Sequence, residues 1–228
     1  PLHPRRLLDG VIEGVKDGGN KSGVPTTFGQ TLFDPGYMGK ALVFVTALGI
    51  MPKTVNGKPS HEKTTSPGEL IVMSGGRVGK DGIHGVTASS KSFSENTPAG
   101  HVQIGDPYTQ KKMHDFLLKC RDEGLITFIT DNGGGGLSSS VGESAMLSNG
   151  CEVWLDKMPL KYEGLDMWEI WISESQERMT IAVKPENLDR FMALSDLHEV
   201  ESTVIGKYTD SGKLHIKYKD QTCAYVDM

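Results

Sequence analysis

An acidic residue followed by four consecutive glycines is the part of the sequence best suited to chemistry. The run reads Asp131-Asn-Gly-Gly-Gly-Gly-Leu-Ser-Ser-Ser140 and follows an apolar stretch that predicts a strand. Glycines let the backbone turn sharply and expose its amides, and an acid at the end of a strand is well placed to hold a Mg²⁺ that bridges phosphate oxygens. The alternative is a serine-capped connection to a helix, with Asp131 as a solvated turn residue.

A second glycine-rich run, Gly75-Gly-Arg-Val-Gly-Lys-Asp-Gly-Ile-His-Gly85, could bind an anion through its backbone. It is not a Walker A motif, because Ser74 stands where that motif needs glycine and Asp81 where it needs serine or threonine. The spacing of its glycines does not fit a dinucleotide-binding turn either. His84 could be a base or a ligand, or simply a hydrogen-bonded loop residue.

A third polar run, Ile172-Ser-Glu-Ser-Gln-Glu-Arg178, lies between an apolar helix end and a predicted strand. Glu174 and Gln176 could bind hydroxyl groups or an amide, whereas Glu177 and Arg178 could form a surface ion pair. Composition alone favours a structural role for this segment over a binding role.

The elements that must position these runs alternate between strands and helices from residue 68 onward. Asp106 followed by Pro107 predicts the start of a helix, and Gly124 predicts its end. The alternation predicts a layered α/β or α+β domain over residues 68–228. The predicted strands are 69–73, 125–130, 151–155 and 179–183, followed by a closing hairpin around Asp210-Ser-Gly212 with strands near 203–205 and 214–218.

The first 60 residues follow a different pattern. Apolar residues at helical spacing predict a helix over 6–16, and two strand-like runs follow at 26–33 and 41–51. The polar stretch 52–67 holds three prolines and no periodicity, and it is therefore the predicted boundary between two units.

Composition excludes several classes of protein. A net charge of −5 without any Lys/Arg run argues against a nucleic-acid partner. The longest apolar stretch, 41–51, is too short to span a bilayer, so we expect no membrane insertion. Three scattered cysteines without CxxC spacing are typical of reduced thiols, and we expect a cytoplasmic protein.

Taken in order, the motifs resemble one family, the synthetase subunit of phosphoribosylformylglycinamidine synthase, within the aminoimidazole ribonucleotide synthetase superfamily. The segments that carry the resemblance are Gly23-Val-Pro-Thr26, Phe33-Asp-Pro, the run 75–85, Val102-Gln-Ile-Gly-Asp-Pro107, Asp131 to Leu137 and Ser173-Glu-Ser-Gln-Glu-Arg-Met179. Many relatives carry Gln-Asp-Met-Gly-Ala-Ala-Gly where this chain has Thr-Asp-Asn-Gly-Gly-Gly-Gly, so the acid is kept and its neighbours are replaced.

The resemblance implies an architecture. Residues 1–60 would be the end of an N-terminal half that forms a central barrel, and residues 68–228 a C-terminal α/β half, within a chain several times longer. The family's catalytic histidine and most of its ATP-binding residues have no match here, so we expect the chain by itself to be inactive.

The resemblance also implies ligands. Gln103, Glu174, Ser175 and Gln176 would contact formylglycinamide ribonucleotide, and Asp131 would hold Mg²⁺. The reaction would be activation of the formamide oxygen by ATP and displacement of phosphate by ammonia from a glutaminase domain or subunit. Two alternatives stay open: another enzyme of the superfamily, such as aminoimidazole ribonucleotide synthetase or selenophosphate synthetase, and a non-catalytic nucleotide-binding module.

Overall fold

The computed structural model describes residues 3–91 and 99–228. It opens with helix α1 (Pro4–Ser22), which continues beyond the predicted 6–16 through a pair of glycines. The helix ends at Gly23, whose left-handed backbone (φ 75°) lets its N–H reach the carbonyl of Asn20.

The strand predictions for 26–33 and 41–51 are wrong. A 3₁₀ turn at Pro35–Tyr37 separates the two runs, and neither run forms a helix or a strand. A strand needs a neighbouring backbone, and no residue in the two described ranges pairs with either run. Their apolar side chains are accordingly exposed, Phe44 by 84% and Leu48 by 94%.

The predicted boundary region contains a small hairpin of its own, formed by β1 (Thr54–Val55) and β2 (Lys58–Pro59). The chain then runs beside the main sheet. The amide of Thr64 donates to the Thr127 carbonyl at 3.3 Å, and Lys63 Nζ donates to the Ile129 carbonyl at 3.1 Å. This segment therefore covers one edge of the sheet.

The remaining chain forms one seven-stranded sheet with helices on both faces. Its strands are β3 (Leu70–Gly75), β4 (Ile126–Asp131), β5 (Cys151–Trp154), β6 (Arg178–Val183), β7 (Ser202–Tyr208), β8 (Lys213–Tyr218) and β9 (Gln221–Asp227). Its helices are α2 (Gly85–Ser89), α3 (Pro107–Asp122), α4 (Leu137–Ser148), α5 (Met167–Ile172) and α6 (Leu188–Leu197). The order is β4-β6-β3-β7-β5-β8-β9, and each neighbouring pair is antiparallel except β5 and β8. The layered α/β prediction is confirmed.

Side-chain alternation along β3, an inner strand of the sheet, places its residues in two cores. Ile71 and Met73 of β3 pack in a cluster with residues of α4 and α5, while Val72 between them packs with residues of α3 and α6. Successive side chains of a strand point to opposite faces, so a wholly apolar strand requires cover on both sides. The sheet is thus the middle of three layers.

The predicted closing hairpin is wrong in its pairing. Strands β7 and β8 flank the Asp210 turn, but β5 lies between them, antiparallel to β7 and parallel to β8. The two residues that precede β5 hold this turn. The amides of Thr209 and Gly212 donate to the carbonyls of Gly150 and Asn149. The actual hairpin is β8 with β9.

Local signals position α3 as predicted. The Asp106 side chain accepts the Tyr108 amide at 3.0 Å, Pro107 occupies the first helical position, and Gly124 follows the helix with φ 68°. Within residues 3–91 and 99–228, no helix combines the length and the apolar character needed to cross a membrane.

Candidate functional site

A buried carboxylate, that of Glu174, is the centre of the site. Its side chain is only 4% exposed and accepts three N–H donors. Oε1 accepts the Gly135 amide at 3.1 Å, and Oε2 accepts the Val86 amide at 3.1 Å and Nε2 of Gln103 at 2.9 Å. Because a buried carboxylate is costly unless it is hydrogen-bonded, these contacts draw three separate segments to one point.

The two glutamines complete a hydrogen-bonded triad with this carboxylate. Nε2 of Gln176 donates to Oε1 of Gln103 at 2.6 Å, while Gln103 donates to Glu174. The structure thus brings together three of the residues proposed from the sequence, and both amides are half-buried. They line a polar surface able to bind hydroxyl or amide groups.

Ser175 lies between them in sequence but faces another way. Its hydroxyl is buried, accepts the Gly79 amide at 3.0 Å and donates to Oδ1 of Asp81 at 2.8 Å. Burial raises the pKa of Asp81, but hydrogen bonds from Lys161 and Ser175 outweigh that effect, and the pKa lies below its ordinary value. The Ser175 side chain therefore holds the 75–85 loop, while its backbone amide donates to the Ser173 hydroxyl at 3.2 Å.

Arg178 is a residue that sequence reasoning misjudged. It is 2% exposed, so the interpretation as a surface ion pair with Glu177 is wrong. Its Nε donates to the Ser175 carbonyl at 2.7 Å and its Nη2 to the Ser173 carbonyl. Burial lowers the pKa of Arg178 to about 10. Since this is still well above neutral pH, the guanidinium stays charged. The guanidinium thus fixes the backbone on both sides of Glu174.

Asp131 stands at the end of β4, opposite Met179 of β6, and is exposed. Its Oδ1 accepts the Gly133 amide at 2.9 Å, which starts the turn of the glycine run. At the end of that run Gly136 has φ 58°, and a Cβ there would lie 2.1 Å from the Ser173 carbonyl oxygen. Only glycine permits this approach, which brings the run against the Glu174 segment.

Two cavities flank the segment 172–179. A cavity of about 390 Å³ is lined by His84, Val86, Thr87, Gly134, Gly135, Ile172 and Glu174. The other, of about 240 Å³, is lined by Gln110, Met113, Asp131, Asn132, Gly133 and residues 175–179. Asp131 and Gln176 therefore share a cavity, and His84, in a left-handed conformation with φ 58°, faces the first one.

The donor set near Asp131 is small. Among the residues that the structure describes, no group of three or more His, Cys, Asp or Glu side chains could enclose a metal ion. One exposed carboxylate fits a Mg²⁺ that keeps several waters and takes its remaining ligands from phosphate oxygens, which is how this ion is commonly bound. It does not fit a metal cage made by this chain.

Two family models match the chain. The model described as AIR synthase related protein, C-terminal domain, matches residues 66–219. The model for the N-terminal domain of AIR synthase related protein matches residues 1–51.

Two curated relatives carry the same name. The phosphoribosylformylglycinamidine synthase subunit PurL of Ignicoccus hospitalis is 39% identical over 222 residues, which cover 95% of this chain and 30% of the relative. The subunit of the same name from Methanopyrus kandleri is 37% identical over 228 residues, 96% of this chain and 30% of the relative. The chain thus spans about 30% of the length of these relatives.

Solved structures agree with this similarity. Thermotoga maritima PurL complexed with FGAR matches with a TM-score of 0.81 and 28% identity, over 96% of this chain and 36% of that one. T. maritima PurL complexed with ATP gives a TM-score of 0.75 at 28% identity, over 96% and 34%. PurLQS from T. maritima gives 0.71 at 27%, over 96% and 35%.

Proposed function

Because the chain belongs to the family of AIR synthase related proteins, we propose that it is part of an ATP-dependent carbon–nitrogen ligase. The ligase converts formylglycinamide ribonucleotide, ATP and ammonia from glutamine into formylglycinamidine ribonucleotide, a step of purine synthesis. The observation that carries the proposal is the Glu174–Gln103–Gln176 triad beside Asp131, in a chain with the fold of a PurL that binds FGAR.

The substrate contacts follow from the geometry of the triad. Gln103 and Gln176 offer half-buried amide groups, which can both donate to and accept from ribose hydroxyls or the formamide. Glu174 orients them and the glycine run, and Ser175 is proposed to act beside them, with its hydroxyl holding the Gly79 amide. A polar surface whose groups are already mutually oriented loses little freedom on binding, which favours affinity.

Asp131 is proposed as a ligand of Mg²⁺ bound with ATP. The bound ion would offset negative charge on the phosphoryl group during transfer. The Asp131 carboxylate lines the same cavity as Gln176. This supports the role, since the ATP phosphate and the substrate must come together in the reaction. The ATP complex of the T. maritima relative supports ATP as the co-substrate.

The division of the chain is part of the same proposal. Residues 1–60 are the end of an N-terminal half, and residues 68–228 are a C-terminal substrate-binding half. The exposed apolar side chains of 26–51, such as Phe28 and Phe44, support a requirement for the remaining halves of the synthetase as partners.

Ammonia is proposed to come from a separate glutaminase domain or subunit in the cytoplasm. Burial raises the pKa of the Cys120 and Cys151 thiols to about 12, so neither is a thiolate nucleophile at neutral pH. The likeness to PurLQS, an assembly by its name, supports a partner for this chain as well.

The direct test is binding and turnover by the complete synthetase that contains this chain. Calorimetry should detect formylglycinamide ribonucleotide, and an assay with ATP, Mg²⁺ and ammonia should yield the amidine product. Aminoimidazole ribonucleotide synthetase activity or selenide-dependent ATP use, in place of amidine formation, would support the other enzymes of the superfamily. Nucleotide binding without any turnover would support a non-catalytic module.

Replacing Gln176 with alanine in the complete enzyme should weaken substrate binding by about 1–3 kcal/mol, the usual effect of stranding a buried polar partner. Gln103 loses its hydrogen bond, but neither core contains the side chain, so the melting temperature should barely move. Calorimetry and thermal melting on the same sample measure both. The exposed Gln221→Ala is the matched control. A lowered melting point with unchanged affinity would assign the triad to the scaffold.

Residues 1–228 produced alone should show no ATP hydrolysis above background. Asp131 is the single proposed metal ligand, and the family's catalytic histidine and most of its ATP-binding residues have no counterpart in the sequence. Phosphate release should be measured with Mg²⁺, with and without formylglycinamide ribonucleotide, beside the complete enzyme. Turnover that survives repurification and rises with the substrate would contradict this expectation.

A further inference from the structure

The loop around Gly79 is held by two walls. On one side lies the stretch 159–161: the Val78 amide donates to the Pro159 carbonyl at 2.9 Å, and the Lys161 amide donates to the Val78 carbonyl at 2.8 Å. At Val78 this wall uses backbone groups alone, so these two bonds depend little on which side chains are present.

The other wall is the substrate segment, and its contacts are made by side chains. The Ser173 hydroxyl donates to the Gly79 carbonyl at 2.7 Å, and the Gly79 amide donates to the Ser175 hydroxyl at 3.0 Å. All three residues are buried. At Gly79 the attachment of the loop to the segment that carries Glu174 and Gln176 therefore depends on how two serine hydroxyls are oriented.

Proton counting fixes the Ser175 hydroxyl. A serine has one proton to give and two lone pairs, whereas an ionised carboxylate can only accept. The Ser175 Oγ atom has two possible acceptors, Oδ1 of Asp81 at 2.8 Å and the Ser173 hydroxyl at 3.1 Å. The ionised carboxylate is the nearer and the stronger acceptor, so the hydroxyl proton points to Asp81 and a lone pair is left for the Gly79 amide. The hydroxyl has consequently no proton left to give to a ligand.

Lys161 keeps Asp81 in the state that this arrangement needs. Its Nζ lies 3.0 Å from Oδ1 and 2.9 Å from Oδ2 of Asp81, whose side chain is about four-fifths buried. A charge-assisted bond to both oxygens favours the ionised, accepting form and fixes the plane of the carboxylate. Lys161 also belongs to the first wall, the stretch 159–161. Through its bond to Ser175, the Asp81–Lys161 pair therefore links that stretch to the substrate segment.

We propose that Asp81, held by Lys161, is a positioning residue for substrate binding. By accepting the Ser175 proton it leaves the hydroxyl oxygen to accept the Gly79 amide, and so it fixes the segment 174–176 against the loop. This inference rests on the proposed function for its substrate. It assigns to Asp81 an effect on affinity that it exerts through Ser175, without touching the ligand.

The test is a double-mutant cycle in the complete enzyme, with the affinities for formylglycinamide ribonucleotide and ATP both measured. In Asp81→Asn one of the two oxygens that Lys161 contacts becomes an N–H donor, so the side chain can no longer serve both Lys161 and Ser175. This variant and Ser175→Ala should each weaken binding of the ribonucleotide by about tenfold, the usual effect of losing one buried hydrogen bond. ATP affinity should stay within about twofold, and the double variant should be no weaker than either single one, because coupled residues are not additive. The exposed Asp210→Asn is the control.

Additive losses, equal losses for ATP and the ribonucleotide, or unchanged affinity in Asp81→Asn would overturn the proposal. Should Asp81→Asn fail to fold, the pair Lys161→Met and Lys161→Arg replaces it. The methionine should reproduce the loss and the arginine should restore affinity, since it keeps the charge and the donors. Equal affinity of these two variants would also overturn the proposal.

Hydrogen exchange of the free enzyme separates this inference from the proposed function. The Gly79 amide should exchange faster in Asp81→Asn and Ser175→Ala than in the unaltered enzyme, with no ligand present. Unchanged exchange of the Gly79 amide would refute the positioning role of Asp81, whatever the substrate is. If the unaltered enzyme fails to bind formylglycinamide ribonucleotide, the proposed function falls, and the exchange result still decides the role of Asp81.

Discussion

Asp131→Asn in the complete enzyme should lower kcat by roughly 100-fold or more, about 2.7 kcal/mol of transition-state stabilisation, since a bound metal commonly supplies several kcal/mol. An amide oxygen is a much poorer ligand for a hard cation than a carboxylate. The fold should be unaffected, because the side chain is exposed and asparagine can still accept the Gly133 amide.

The measurement is a Mg²⁺ titration of the steady-state rate, combined with a melting curve. Asp131→Asn should need more Mg²⁺ for half-maximal rate, whereas the control Asp210→Asn, at an exposed turn, should follow the unaltered enzyme. An unaltered rate together with an unaltered Mg²⁺ requirement would return Asp131 to the role of a solvated turn residue.

Arg178→Met should lower the free energy of unfolding by about 2–4 kcal/mol, because two buried carbonyl groups each lose a donor at roughly 1–3 kcal/mol apiece and relief from burying a charge offsets part of that loss. The acceptors are those of Ser173 and Ser175. Methionine is a flexible apolar replacement that fills much of the same space, so the loss reports hydrogen bonding more than packing.

The variants Arg178→Lys and Arg190→Met make this result specific. Lysine keeps the charge but offers a single ammonium where the guanidinium reaches two carbonyls, so an intermediate loss is expected. Arg190 is exposed and pairs with Glu123 on the surface, and its loss should cost less than about 1 kcal/mol. Chemical denaturation measures all three. Equal stability of Arg178→Met and the unaltered protein would show that the guanidinium is not what holds this segment.

The sequence determined the features that depend on neighbouring residues. Asp106 and Pro107 start α3 because a side-chain acceptor and a fixed φ act within one helical turn, and Gly124 ends it for an equally local reason. The alternation of elements determined the layered class, since each apolar face must be covered. The combined motifs also identified the family to which the chain is now assigned.

Tertiary structure alone decided which distant residues meet. Gln103 and Gln176 bond across 73 positions of sequence, and nothing local encodes that pairing. The insertion of β5 between β7 and β8 likewise depends on its pairing with both of these strands and not on the turn at Asp210. The burial of Arg178 escaped sequence reasoning because a polar run reads as a surface loop, whereas here its own backbone carbonyls supply the acceptors that make burial possible. The runs 26–33 and 41–51 show the converse: strand-like composition becomes a strand only where a partner backbone is present.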